Sequence, residues 1–232
     1  STVGETMKRN FVLAAGLLAI GCSTAFAEVV RTEANNGNLV MEDVPPIPQS
    51  IVADLNRYQN TRSAGFRGWD KDGQGIFIST RFGDVSQVHY VGQPGGARTQ
   101  LTFFDEPIGG LSRQPEGSKM VFTMDAGGSE FSQIFLLDPA NGATSMLTDG
   151  ESRNGSTSWD RGGRRIAYSS TARNGAANDS WMMDPDDPGS AQIIVESQDG
   201  AYWSPAEFSA SGSKVLVQSY VSIADSRVGI VD

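Results

Sequence analysis

The residues with the clearest chemical promise open in "WDKDGQGIFIST", Trp69 to Thr80. Asp70, Asp72, Gln74 and Gly75 match positions one, three, five and six of an EF-hand calcium loop. Position twelve of such a loop supplies a bidentate glutamate, and here it is Arg81, whose charge repels the ion. The competing reading is a tight turn ahead of a strand, in which Asp bonds the local backbone and Gly accepts a positive φ. A second cluster, "DPDDP" at Asp184 to Pro188, crowds three carboxylates without a spaced further ligand, the pattern of a solvated turn rather than a cation site. His89, the one histidine, alternates with Val88 and Tyr90 as a strand residue does. A serine–aspartate–histidine triad in hydrolase order requires a G-x-S-x-G elbow upstream of it, and none precedes it. The nearest string, "GESRNG" at Gly150, misplaces its second glycine. Arg81, Asp84 and Glu106 stand at strand ends, so they are candidates to face a central channel and bind substrate, unless the arginine ties a loop. Trp159, Trp181 and Trp203 have no spacing that suits a sugar platform and are expected to fill seams. The residue inventory therefore leads us to expect no catalytic residue, metal site or cofactor in this chain.

The elements that position these residues follow from composition. In 232 residues there are 27 glycines and only 19% charged residues, which suits short strands joined by tight turns. The net charge of -9, with no cluster of Lys and Arg, argues against nucleic acid as a partner. "MKRN" from Met7, the apolar run Phe11 to Gly21 and the A-x-A sequence Ala25–Phe26–Ala27 read as an export signal, too short to span a bilayer. Residues 1–27 are thus an upstream remnant plus signal peptide, and the protein is expected to be periplasmic or extracellular. Cys22 sits in a weak lipobox, but Ala19 stands where leucine is usual, so cleavage after Ala27 is favoured over lipid anchoring. A lone cysteine forms no internal disulfide.

The chain repeats itself about every 45 residues. "DGQGIFIST", "EGSKMVFTM", "GGRRIAYSS" and "SGSKVLVQS" share Gly73, Gly117, Gly163 and Gly212, spaced by 44, 46 and 49 residues, each leading into an alternating apolar run. Second runs follow at Gln87, Gln133, Ser180 and Val228, and third runs at Ala97, Ala143 and Ala191. Trp69, Trp159 and Phe208 mark a further strand ahead of the glycine; the second unit, with "GGLSRQPEG", lacks that mark. Four short antiparallel strands per unit make a propeller blade. The fold class is all-β: about four four-stranded blades of an incomplete β-propeller over 66–232, in units near 66–103, 104–150, 151–197 and 198–232, preceded by an extension, 28–65. In that extension Ile51, Leu55 and Tyr58 form one stripe of a short helix opened by Pro48 and Ser50, expected to pack on the propeller. Its polar face is not basic, which argues against a membrane-surface helix. The last unit stops at "VGIVD", so the chain is expected to be a piece of a larger propeller.

The runs "PPIPQSIVADLNRYQNTRSAGFRGW", "ISTRFGDVSQVHYVGQPGGARTQLTFFDEPI" and "SRNGSTSWDRGGRRIAYSSTARNGAANDSWMMDPDDP" resemble the N-terminal propeller of secreted bacterial peptidases of the prolyl oligopeptidase family, dipeptidyl and acylaminoacyl branch. The resemblance spans about residues 44–232. It implies a propeller that gates an α/β-hydrolase domain, absent here, which cleaves short peptides. The blade repeat by itself is shared with TolB-type propellers, so a stand-alone envelope module that binds a protein partner is the alternative. An oligouronide lyase would need histidine-rich metal coordination, which one histidine does not give.

Overall fold

In the computed structural model, which describes residues 29–125, 127–198 and 200–232, the chain is a β-propeller with one α-helix among the described residues. The signal and lipid-anchor readings at Ala25–Ala27 and Cys22 lie outside the described residues. The extension begins with a hairpin, β1 (Arg31–Ala34) and β2 (Leu39–Glu42), followed by helix α1 (Gln49–Gln59). The first blade is β3 (Gly65–Trp69), β4 (Ile76–Thr80), β5 (Gln87–Val91) and β6 (Thr99–Gln100). The second is β7 (Ile108–Arg113), β8 (Met120–Met124), β9 (Gln133–Asp138) and β10 (Ala143–Met146). The third is β11 (Asn154–Trp159), β12 (Ile166–Ser170), β13 (Asp179–Asp184) and β14 (Asp187–Val195). The fourth has three strands, β15 (Tyr202–Phe208), β16 (Val215–Ser222) and β17 (Asp225–Val231). Every pairing joins neighbours in sequence and is antiparallel. First strands of successive blades touch, so they lie innermost about a common axis.

The repeated glycine explains the first hairpin of each blade. Asp70 N–H donates to Gly75 O at 2.9 Å and Gly73 N–H to Asp70 O at 3.3 Å, and the same two bonds recur at Gln114, Asp160 and Ser209. Gly73, Gly163 and Gly212 hold φ of 70°, 67° and 71°, a region that glycine enters without steric cost. The Asp70 carboxylate accepts from the Gln74 and Gly75 amides, each at 2.9 Å, and from the Tyr90 hydroxyl at 2.7 Å. The sequence that spells a calcium loop is a hairpin turn. "DPDDP" is likewise a turn: Asp184 pairs with Asp187 across it, the Asp184 carboxylate accepts from the Asp186 amide, and Asp186 pairs with Lys119 of the second blade.

Alternation along the second strand of each blade divides its apolar residues between two seams. Phe77, Val121 and Ala167 turn to the following blade, where Phe77 meets Met120 and Phe122, Val121 meets Ile166 and Tyr168, and Ala167 meets Val215 and Val217. These seams are the core, and none of their apolar faces could be buried by a blade on its own. Leu216 is the corresponding residue of the fourth blade and is 38% exposed.

The second unit has its first strand, β7, and carries Arg113 where the other units carry Trp69, Trp159 and Phe208. One expectation is corrected. Helix α1 forms where its stripe was read, but the stripe is not buried: Ile51, Leu55 and Tyr58 are 50%, 48% and 76% exposed. Periodicity fixes which side chains share a helix face; it does not fix whether that face meets another surface.

Candidate functional site

The two ends of the propeller differ. One carries the first hairpin turn of each blade and the last hairpin turn of the first three; the other carries the loops between second and third strands and the crossovers between blades. The extension lies at the crossover end. Arg81, in the loop between β4 and β5, donates from Nη2 to Gln59 O at 2.6 Å and from Nε to Thr61 O at 3.3 Å, which fastens the C-terminus of α1. Asn38, after the tip of the β1–β2 hairpin, donates from Nδ2 to Gly127 O in the loop between β8 and β9 at 2.6 Å.

Of the three residues read as channel-facing, the structure brings Arg81 and Asp84 into one loop, where Arg81 Nη1 reaches the Asp84 carbonyl at 3.4 Å. Asp84 borders a hollow of about 170 Å³ with Gln87, Gln100 and Phe104. Glu106 takes part through its backbone: its carbonyl accepts from Gln87 Nε2 at 3.1 Å. Arg81 is thus engaged with backbone carbonyls, and it meets neither the Asp84 nor the Glu106 carboxylate in an ion pair.

Sequence reading missed the residue that organises this region. Gln87 opens β5, is buried, and also holds Phe104, donating to its carbonyl at 3.0 Å and accepting from its amide at 3.1 Å. Gln133 opens β9 and does the same for the next crossover: Nε2 donates to Ser152 O at 2.7 Å, and Oε1 accepts from Thr148 Oγ1 at 2.7 Å and Gly150 N–H at 3.0 Å. Asp179 opens β13, fully buried, accepts from Ser197 N–H at 2.8 Å and pairs with Arg173 at 2.7 Å. Positions 87, 133 and 179 are 46 residues apart each time, so aligning polar as well as apolar positions would have found the device. Each buried polar side chain is satisfied by the backbone that it arranges, as burial demands.

Nearer the axis, every first strand carries a register shift at a matching place: between Phe66 and Gly68, Ile108 and Leu111, Gly155 and Ser158, and Pro205 and Glu207. A bulge re-aims side chains at a strand edge. The exposed residues at these bulges are Arg67, Gly109, Gly110, Ser156 and Ala206. Ser156 sits at φ 52°, and the Tyr202 hydroxyl lies 3.5 Å from its Oγ and 2.8 Å from Ser169 Oγ, linking third and fourth blades. These bulges stand on the innermost strands, apart from the loop and the crossover that hold Arg81, Asp84 and Glu106.

His89 is fully buried in β5. Its Nδ1 lies 3.1 Å from Gln87 O, and its ring meets Phe82 edge-on at 5.1 Å. Burial pushes its pKa below the usual histidine value. Ser152, of the "GESRNG" string, bonds Asp149 within its own crossover.

Bulged inner strands, pinned crossovers and stacked antiparallel sheets define the class: a β-propeller. The sequence matches no protein-family model and no curated protein, so its likeness to known proteins lies in the fold. The structure is similar to a protein assigned as TolB from Agrobacterium tumefaciens, with TM-score 0.53, 24% identity, and coverage of 70% of this chain and 59% of that one. A prolyl endopeptidase, from a study of two such enzymes, superposes with TM-score 0.60 at 11% identity over 88% of this chain and 37% of its own. TolB from Acinetobacter baumannii gives TM-score 0.52 at 17% identity, covering 87% and 45%. The chain therefore spans about 37–59% of the length of these neighbours. Among the described residues, no helix is long and apolar enough to cross a membrane.

Proposed function

We propose that this chain is the substrate-gating propeller of an exported serine peptidase that cleaves short peptides, with hydrolysis carried by an α/β-hydrolase domain outside these 232 residues. The observation that carries this reading is helix α1. It is fastened to the first blade through Arg81, yet its apolar stripe of Ile51, Leu55 and Tyr58 faces outward. Such a stripe gains free energy only when another surface covers it, and a second domain at the crossover end would do so. The fold likeness to a prolyl endopeptidase over 88% of the chain supports the same reading. In this scheme the bulge residues line the path by which peptides arrive, and Arg81, Asp84 and Glu106 shape the crossover end around it.

A second reading, a TolB-type module that binds a protein partner in the cell envelope, is favoured by the likeness to two TolB structures. The coding sequence downstream separates the two. A frame that continues through further blades to a G-x-S-x-G string followed by Asp and His supports the peptidase; a stop directly after Asp232 overturns it. Enzymology tests the division of labour: the purified chain is expected to leave dipeptidyl and acyl-aminoacyl substrates intact. Turnover blocked by a serine reagent would instead place the chemistry in the propeller.

A further inference from the structure

The three seams between the four blades are built differently, and the difference leaves a site. In the second seam Trp159 lies against the second blade, its indole N–H donating to Ser112 O at 3.2 Å, and Gln114 Nε2 reaches across to Gly163 O at 2.6 Å. In the third, Phe208 fills the same place and Arg165 Nη2 reaches Gly212 O at 2.5 Å. These two seams thus have an aromatic plug from the following blade and a tie from the preceding blade to the carbonyl of the repeat glycine. The first seam has neither. The plug position is Arg113, and its Nη1 turns into its own hairpin, donating to Gln114 O at 2.7 Å, Pro115 O at 3.2 Å and Gly117 O at 2.8 Å. The glycine carbonyl that a preceding blade would tie is satisfied from within.

The place of the missing ring is a cleft of about 290 Å³ at the hairpin-turn end, walled by Phe77, Tyr90, Leu101 and Pro139, with Lys71, Asp72 and Arg113 also lining it. Arg113 Nε and Nη2 have no hydrogen bond, and its charge no ion pair, among the described residues. The Asp70 carboxylate on the same wall is taken by two turn amides and by the Tyr90 hydroxyl, whose hydrogen bond holds the carboxyl below its usual pKa. Asp72, the other acid of the lining, pairs with neither cation among the described residues, so what remains is an apolar slot for a ring beside a guanidinium edge that no carboxylate holds.

We propose that this cleft binds a carboxylate that carries an aromatic or bulky apolar body. The body takes the place of the absent seam aromatic, and the carboxylate takes Nε and Nη2 of Arg113 as a two-pronged pair, the geometry that guanidinium groups favour. Lys71 adds a second cation. A small peptide with an apolar C-terminal residue has this chemistry, as does a free aryl acid. The proposal does not rest on the peptidase reading, because the cleft lies at the end opposite the crossovers.

Calorimetric titration of the full chain with N-acetyl-L-tryptophan and with N-acetyl-L-tryptophanamide tests it. Saturable binding of the acid is expected, weaker by about tenfold for the amide, as the loss of a charge-assisted pair implies. Indole-3-acetate, which lacks the peptide-like amide, distinguishes the sources: equal affinity assigns the site to aryl acids in general, and weaker binding assigns it to peptide C-termini. Arg113→Trp, which rebuilds the arrangement of the second seam, should bind neither probe while melting at or above the wild-type temperature. Arg113→Leu keeps an apolar slot and should lose the preference for acid over amide, so it decides the matter even where the tryptophan variant misfolds. No saturable binding of the acid, equal affinity for acid and amide, or undiminished binding by Arg113→Trp would each overturn the proposal.

Discussion

In the first three blades a single polar side chain at the start of the third strand does what a longer loop would otherwise need several residues to do. Gln133 is 1% exposed and meets the backbone of Phe131, Gly150 and Ser152 as well as Thr148 Oγ1. Replacing it with alanine leaves those buried groups without partners, so Gln133→Ala should cost about 2–3 kcal/mol in urea unfolding, while Asp186→Ala, which breaks only an exposed pair, should cost about 0.5 kcal/mol or less. A cost for Gln133→Ala no larger than that for Asp186→Ala would refute its role as a pin. His89 gives a pH dependence with a definite sign. Its folded pKa is depressed by burial, so the unfolded chain takes up a proton near pH 6.5 while the folded chain resists it. The stability this contributes is present above that value and is lost as pH falls toward the folded pKa. Calorimetric melts from pH 7.5 to pH 5 should therefore show a fall in Tm that His89→Leu flattens; identical slopes would count against it. The turn role of Asp70 was legible in sequence because turn chemistry is local. The engagement of Arg81 with Gln59 and Thr61 was not, since it depends on where a helix twenty residues earlier comes to rest.

At the scale of the element, the repeat was legible wherever two signals agreed, a turn glycine and an alternating run. Only the aromatic mark was absent at β7, whose Gly109–Gly110 pair belongs to a bulge and which carries Arg113 at that place. The β1–β2 hairpin was missed: its strands have four residues each and are almost wholly exposed, so no face imprints a pattern. The seam positions carry unequal weight. Trp159 is 9% exposed and bridges two blades, whereas Trp69, at the equivalent place, is 58% exposed. Trp159→Ala should cost about 3–5 kcal/mol and Trp69→Ala about 1 kcal/mol or less, measured by denaturant unfolding. Equal costs would mean that the seams are not the source of stability.

For the molecule as a whole, the same arithmetic of faces predicts behaviour in solution. The first blade presents Phe66 and Trp69, the fourth presents Leu216, Val228 and Ile230, and β17 offers a free edge. These are half-seams, and exposed apolar faces beside an open strand edge associate. Sedimentation velocity should show concentration-dependent self-association of the chain, reduced by Leu216→Lys combined with Ile230→Lys. A sharp, reversible two-state melt of a strictly monomeric chain would contradict this. The architecture was readable because stacking imposes one pattern on every unit; the openings between units were not, because they arise where the pattern lapses.

Trp159 and Phe208 both reach backward, onto sheets whose strands precede them in the chain. For these two rings a polypeptide synthesised from its N-terminus presents the receiving sheet before the plug that fills it, so the second and third seams can close in chain order, like tiles laid from one wall.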